Sequence, residues 1–181
     1  HQGCLIELDE ALQQSREDFV AHHKRKYGMA RPPIWAACEV MSFGTLSRFY
    51  NNIRRDADRK HIAGQYRLAA EGCSSVRHHM VYVRNICGHH ARRWDRQSTI
   101  TINIPYIPYI VAQSFVRLEP QMRYIYNTLV LLAYLMDIID QQNTWGRRIR
   151  QLIHHQKFPV ASHMGFPDDW DQLPIWKNRL T

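Results

Sequence analysis

With 181 residues, 45% of them hydrophobic, the chain can bury one proper core and is too apolar to be disordered throughout. Its 24 Lys and Arg against 16 Asp and Glu give a net charge of +8, which favours anionic partners, nucleic acid being the commonest. Cys4, Cys38, Cys73 and Cys87 stand far apart with no C-x-x-C pair, which excludes a zinc quartet or a small disulfide scaffold and leads us to expect reduced thiols in a cytoplasm.

In chain order, Leu5, Leu8, Leu12 and Phe19 recur at helical spacing and predict one helix from Cys4 to Tyr27, stopped by Gly28. Its last residues, His22-His23-Lys24-Arg25-Lys26, are the cations that a helix C-terminus favours, and we prefer that reading to a nucleic-acid patch. Pro32-Pro33 breaks the chain. A helix from Ile34 to Met41 follows, then one capped by Ser42 that runs to Asn52. Trp35, Val40, Phe43, Leu46, Phe49 and Tyr50 are the expected core here, and Glu39 is expected to be exposed. Arg54 to Leu68 reads as a charged helix with Ile62, Tyr66 and Leu68 inward. Gly72 is expected to end that region, and Ser74 or Ser75 to cap the next helix.

Thr99 to Ile104 alternates as a strand would, but Pro105, Pro108 and the lack of a second alternating run predict an extended connector. A long apolar helix is predicted from Pro120 to about Asp140. Its most apolar part, Leu129 to Met136, is too short to span a bilayer, and no membrane partner is expected. Another helix runs from Asn143 or Thr144 to Lys157. The aromatic tail, Gly165-Phe166-Pro167 to Trp170 and Pro174-Ile175-Trp176, is expected to pack down. The whole predicts an all-α helical bundle, read as a single domain over residues 1–181.

The chemistry concentrates in Val81 to Arg96, VYVRNICGHHARRWDR, read as one helical run. At ~100° per residue, Val76, Met80, Val83, Cys87 and Trp94 form the predicted buried stripe. His78, Asn85, His89, Arg92 and Arg96 form a polar strip, with Arg84 on the flank and His90 near the core edge. On pattern alone a solvated helix face is the simpler account of that strip. The residue choice argues otherwise, because Asn, His and Arg occur without an acid until Asp95. Histidine exchanges protons near neutral pH, and arginine grips phosphate through a bidentate fork. One group to deprotonate a ribose 2′-hydroxyl, one to protonate the leaving 5′-oxygen and a cation for the phosphorane would cleave RNA without a metal. Adjacent histidines on a helix point ~100° apart and cannot share an ion, and no H-E-x-x-H occurs, so neither metal nor cofactor is expected.

Arg84-Asn85-Ile86-Cys87-Gly88-His89 resembles the R-x4–6-H signature of HEPN domains. Tyr27-Gly28, Pro33-Ile34-Trp35, Glu39 to Ser47, Val83 to Trp94, Gly165-Phe166-Pro167 and Trp170 together resemble the Abi-like (AbiD/AbiF) abortive-infection family, over about residues 15–176. The resemblance implies a bacterial phage-defence or toxin role, an all-α, HEPN-like helical bundle that commonly dimerises across the motif helix, and metal-independent endoribonuclease activity. It assigns Arg84 and His89 as the signature pair and Asn85 as the polar accessory. RNA is the implied partner, as substrate or as an antitoxin or guide RNA, with Arg92, Arg93, Arg96 and His78 as its contacts. Members usually carry a further N-terminal region, so the sequence is read as a piece of a longer chain. Gly88 stands where the family pattern usually has alanine, and Asp95 where it has asparagine. The rival reading is a HEPN-type RNA-binding or sensor module without cleavage.

Overall fold

The computed structural model describes residues 2–28, 31–89, 94–103 and 108–177. The chain gathers into two compact units, His1–Arg59 and Lys60–Thr181. Among the described residues all regular structure is helical, so the protein is all-α as predicted.

In the first unit, two helices, α1 (Gln2–Gln14) and α2 (Asp18–Tyr27), replace the single helix predicted from Cys4 to Tyr27. The break has a local cause. The Ser15 hydroxyl accepts the Glu17 N–H at 3.3 Å, and Glu17 itself turns extended (φ −68°, ψ 134°). Leu8, Leu12, Val20 and Ala37 then form a core, with Phe19, Val40, Met41 and Phe49 packed on it. Lys24 Nζ donates to the Leu12 carbonyl at 2.8 Å, satisfying an acceptor near the end of α1. Gly28 ends α2 with φ 69°, a conformation that costs glycine little.

Helix α3 (Ile34–Val40) starts after Pro33, and α4 (Phe43–Asn51) after Ser42. The Ser42 hydroxyl accepts the Thr45 N–H at 3.0 Å, the predicted cap. Glu39 is exposed as expected. Trp35 is not core: it is 68% exposed, because α3 turns Ala36 and Ala37 inward and leaves Trp35 on the outer side. Glu7 fastens α1 to α4, its carboxylate accepting from the Thr45 hydroxyl at 2.8 Å and pairing with Arg48.

Helix α5 (Asp56–Gln65) spans the boundary between the units and is shorter than predicted. Ala63 is its buried residue, whereas Ile62 and Tyr66 are each 37% exposed. Arg67, at φ 51°, turns the chain and lets Leu68 enter the core from outside the helix.

The second unit opens with α6 (Ala70–Gly88). Neither Ser74 nor Ser75 caps it: the helix starts after Ala69, and Gly72 lies buried inside it. Ser75 instead accepts the Asn103 N–H at 2.8 Å. With Ser98 N–H to the Arg123 carbonyl (2.7 Å) and Thr99 N–H to the Tyr82 hydroxyl (3.3 Å), this holds residues 99–103, the described part of the predicted connector, without strand pairing. A helix not foreseen in the sequence, α7 (Tyr109–Ser114), follows Pro108.

The apolar helix begins late. Residues Gln121–Arg123 form a 3₁₀ turn, Tyr124 is extended, and α8 runs Tyr126–Ile139. Gly165, at φ 77°, packs closely against this corner, where a Cβ would lie 2.5 Å from Tyr124 Cβ and 2.9 Å from the Gln121 carbonyl. Helix α9 (Trp145–His154) stops short of Lys157, and α10 (Val160–His163) and α11 (Pro174–Lys177) are short. The tail packs as predicted. Phe166 stands 4.8 Å from Tyr126 and edge-on at 5.0 Å to Trp170, which meets Trp176 edge-on at 5.5 Å. Trp176 Nε1 donates to the Tyr126 hydroxyl at 3.3 Å, and burial pushes the Tyr126 phenol well above its usual pKa. Among the described residues no helix is long and apolar enough to cross a membrane. The four cysteines are free thiols.

Candidate functional site

Helix α6 carries Arg84 and Asn85, with His89 at its C-cap, and its buried side decides which way they face. Cys73, Val76, His79 and Ile86 form that side, with Met80 and Val83 half-buried and Cys87 exposed. The stripe is therefore rotated from the predicted Val76-Met80-Val83-Cys87-Trp94. Trp94 lies beyond the helix, 36% exposed, with its ring 5.5 Å from that of His163. Sequence reasoning missed His79, which is 2% exposed. Its Nδ1 is 2.7 Å from the Ile100 carbonyl and its Nε2 2.8 Å from the Thr128 hydroxyl. A carbonyl can only accept, so Nδ1 carries the proton in the first contact, and in the neutral ring Nε2 accepts from Thr128. Its spacing of three from Val76 and seven from Ile86 was the available signal.

With His79 inward, Arg84 and Asn85 stand exposed on the last turn. The helix predicted to run through His89 and His90 instead ends at Gly88, where glycine's backbone entropy weighs against another turn. His89 occupies the C-cap at φ −94°, ψ 17°, donating its N–H to the Asn85 carbonyl at 3.0 Å. Arg84 Nη1 donates to the Asn85 side-chain oxygen at 3.1 Å. It also lies 4.0 Å from where a Gly88 Cβ would stand, so the guanidinium runs along the helix towards the end that His89 caps. Asn85 thus holds both neighbours, one through its side chain and one through its backbone.

The other predicted contacts are less gathered. His78 is exposed on α6, eleven residues before His89 and so about 16 Å along the axis. Arg96 is exposed beyond Asp95, which sits at φ 50°. Arg92 and Arg93, like His90, lie outside the described residues. Charge is uneven along the chain. Residues 60–181 hold fifteen Lys and Arg against eight Asp and Glu, whereas residues 1–59 hold nine against eight. Nearly all of the net +8 therefore belongs to the unit that carries the signature. Among the described residues no group of three His, Cys, Asp or Glu could hold a metal ion.

An all-α protein with an arginine–asparagine–histidine turn on a basic unit is the class that fold and site define. A family model described as Abi-like protein matches residues 1–95, just over half of the chain, and the chain belongs to that family. Membership implies a role in abortive infection, a defence against phage. The matched residues include Arg84, Asn85 and His89, while Gly165 to Trp170 lie beyond them. No curated protein and no solved structure matches the sequence.

Proposed function

We propose that this Abi-like protein is a HEPN-type, metal-independent endoribonuclease that acts in the cytoplasm. The observation that carries the reading is the exposed terminal turn of α6, where Asn85 ties Arg84 by its side chain and His89 by its carbonyl. In this mechanism a base removes the ribose 2′-hydroxyl proton as the 2′-oxygen attacks phosphorus. Arg84 holds the charge that grows on the phosphorane, and Asn85 keeps the guanidinium aimed. The bond from phosphorus to the 5′-oxygen breaks while an acid delivers a proton to that oxygen. The products are a 2′,3′-cyclic phosphate and a 5′-hydroxyl.

One His89 cannot give and take a proton in the same step. A symmetric dimer across the motif helix supplies two, one as base and one as acid. Arg92, Arg93, Arg96 and His78 guide the RNA backbone, in keeping with the charge of residues 60–181. Incubating the protein with total cellular RNA in EDTA tests this. Wild type is expected to cleave and Arg84→Ala/His89→Ala to be inactive. RNA bound but not cleaved by wild type would leave a non-catalytic RNA-binding module, and a strict metal requirement would overturn the mechanism.

A further inference from the structure

The first unit holds a cleft of about 530 Å³ that the signature residues do not account for. Phe19, His22, His23 and Tyr27 of α2 line one side, and Pro32-Pro33 and Trp35 the other. Its aromatic groups are unusually open: Tyr27 is 57% and Trp35 68% exposed. The core of this unit is already filled by Leu8, Leu12, Val20 and Ala37, so Trp35 adds little to it. We propose that this cleft binds single-stranded RNA, with a base stacked on the Trp35 indole and phosphates held by the end of α2, whose cations the sequence alone assigned to the helix C-terminus rather than to nucleic acid.

Charge favours RNA as the occupant over a peptide. The last two turns of α2 carry His22, His23, Lys24, Arg25 and Lys26 in succession, against Asp18 as the acid among the lining residues. Lys24 is engaged with the Leu12 carbonyl, but Arg25 and Lys26 are exposed. Lys26 Nζ lies 5.1 Å over the ring of Tyr27, and the His23 ring is 5.0 Å from it, so a cation stands beside the aromatic lining at the end of α2. Stacking surfaces flanked by cations are how proteins hold single strands without reading their sequence. A nucleobase and its sugar fit the volume. The role of RNA as ligand rests on the nuclease reading above, whereas the cleft and its residues do not.

The test is the affinity of the whole chain for a fluorescent twelve-nucleotide 2′-fluoro polyuridylate, which lacks the attacking 2′-hydroxyl, measured by anisotropy, with cleavage read in parallel on total cellular RNA in EDTA. Trp35→Ala is expected to weaken binding about 10-fold, the loss of one stacked base, while Trp35→Phe keeps most of it. Arg25→Ala/Lys26→Ala should weaken binding and flatten its salt dependence. Equal melting temperatures for Trp35→Ala and wild type, expected at so exposed a site, keep the comparison about binding. Wild-type affinity in folded Trp35→Ala overturns the proposal, and so does a Trp35-dependent contact with protein but none with RNA. Trp35-dependent binding without cleavage would sink the nuclease reading and leave the cleft standing. Cleavage by wild type with binding indifferent to Trp35 would do the reverse.

Discussion

The Nε2 of His79 lies 2.8 Å from the hydroxyl of Thr128, joining the helix that presents Arg84 and Asn85 to the first turn of α8. Through Nδ1 the same ring holds the Ile100 carbonyl, so one buried side chain links α6, the connector and α8. Replacing it strands the buried Thr128 hydroxyl and the part-buried Ile100 carbonyl and opens a cavity. His79→Ala should therefore lower unfolding free energy by about 3 kcal/mol, a large share of a typical domain's stability. His78→Ala, one residue earlier but exposed, should stay within about 0.5 kcal/mol of wild type. Urea unfolding of the two variants measures the contrast.

Gly165 is the second position where one atom decides the fold. Both its φ of 77° and the 2.5 Å approach of a Cβ to Tyr124 oppose any side chain. Because that atom and the Gln121 carbonyl belong to the corner before α8, Gly165→Ala should cost on the order of 2–4 kcal/mol. Gly3→Ala, inside α1 with nothing within 4 Å, should instead be neutral or stabilise by up to about 1 kcal/mol. Thermal melts of the pair separate steric strain from ordinary glycine flexibility.

What could be read in advance was local chemistry. The Gly28 stop, the Ser42 cap, the exposed Glu39 and the packed Phe166–Trp176 tail each follow from a residue and its near neighbours. What could not be read depended on distant partners. His79 counts as polar in any periodicity, so leaving it out rotates the stripe towards Met80 and Cys87. Its burial is possible only because Ile100 and Thr128, far along the chain, satisfy both nitrogens. The same blindness affects Trp35, whose size suggests core until Ala36 and Ala37 are seen to fill the inner face of α3. At the candidate site, Asn85 was legible on the polar face, whereas Arg84, read on the flank of the buried stripe, is exposed beside it. That the helix stops at Gly88 and leaves His89 at its cap was not legible.

The first unit should soften in acid through Glu7. Hydrogen bonding from Thr45, then from Arg48, holds the Glu7 carboxyl below its ordinary value, outweighing burial, which acts in the other direction. A carboxylate whose pKa is depressed on folding adds stability that is present above the unfolded value, near 4.5, and lost as pH falls through the folded one. Asp9, held down by Arg31, adds to the same limb. Melting temperature should thus fall below about pH 5, and Glu7→Gln should flatten that fall while lowering stability at neutral pH. Added salt should shrink the effect, since both partners are partly exposed. An acid limb unchanged in Glu7→Gln would show that other carboxylates set it.

Gly88→Ala tests whether the end of α6 needs glycine or merely tolerates it. No positive φ is required there, and an added Cβ would make only an ordinary contact with Arg84 Nη1 at 4.0 Å. Alanine should therefore fit and firm the last turn by about 0.5–1 kcal/mol through lower backbone entropy in the unfolded chain. It also narrows the space open to the Arg84 side chain without touching its bond to Asn85. If the nuclease reading holds, metal-free cleavage persists in Gly88→Ala and is lost in Asn85→Ala, which frees the guanidinium while leaving its charge in place. Loss of stability in Gly88→Ala would mean that the turn into His89 depends on glycine after all. Full cleavage by Asn85→Ala would remove the positioning role assigned to that side chain while leaving Arg84 and His89 in theirs.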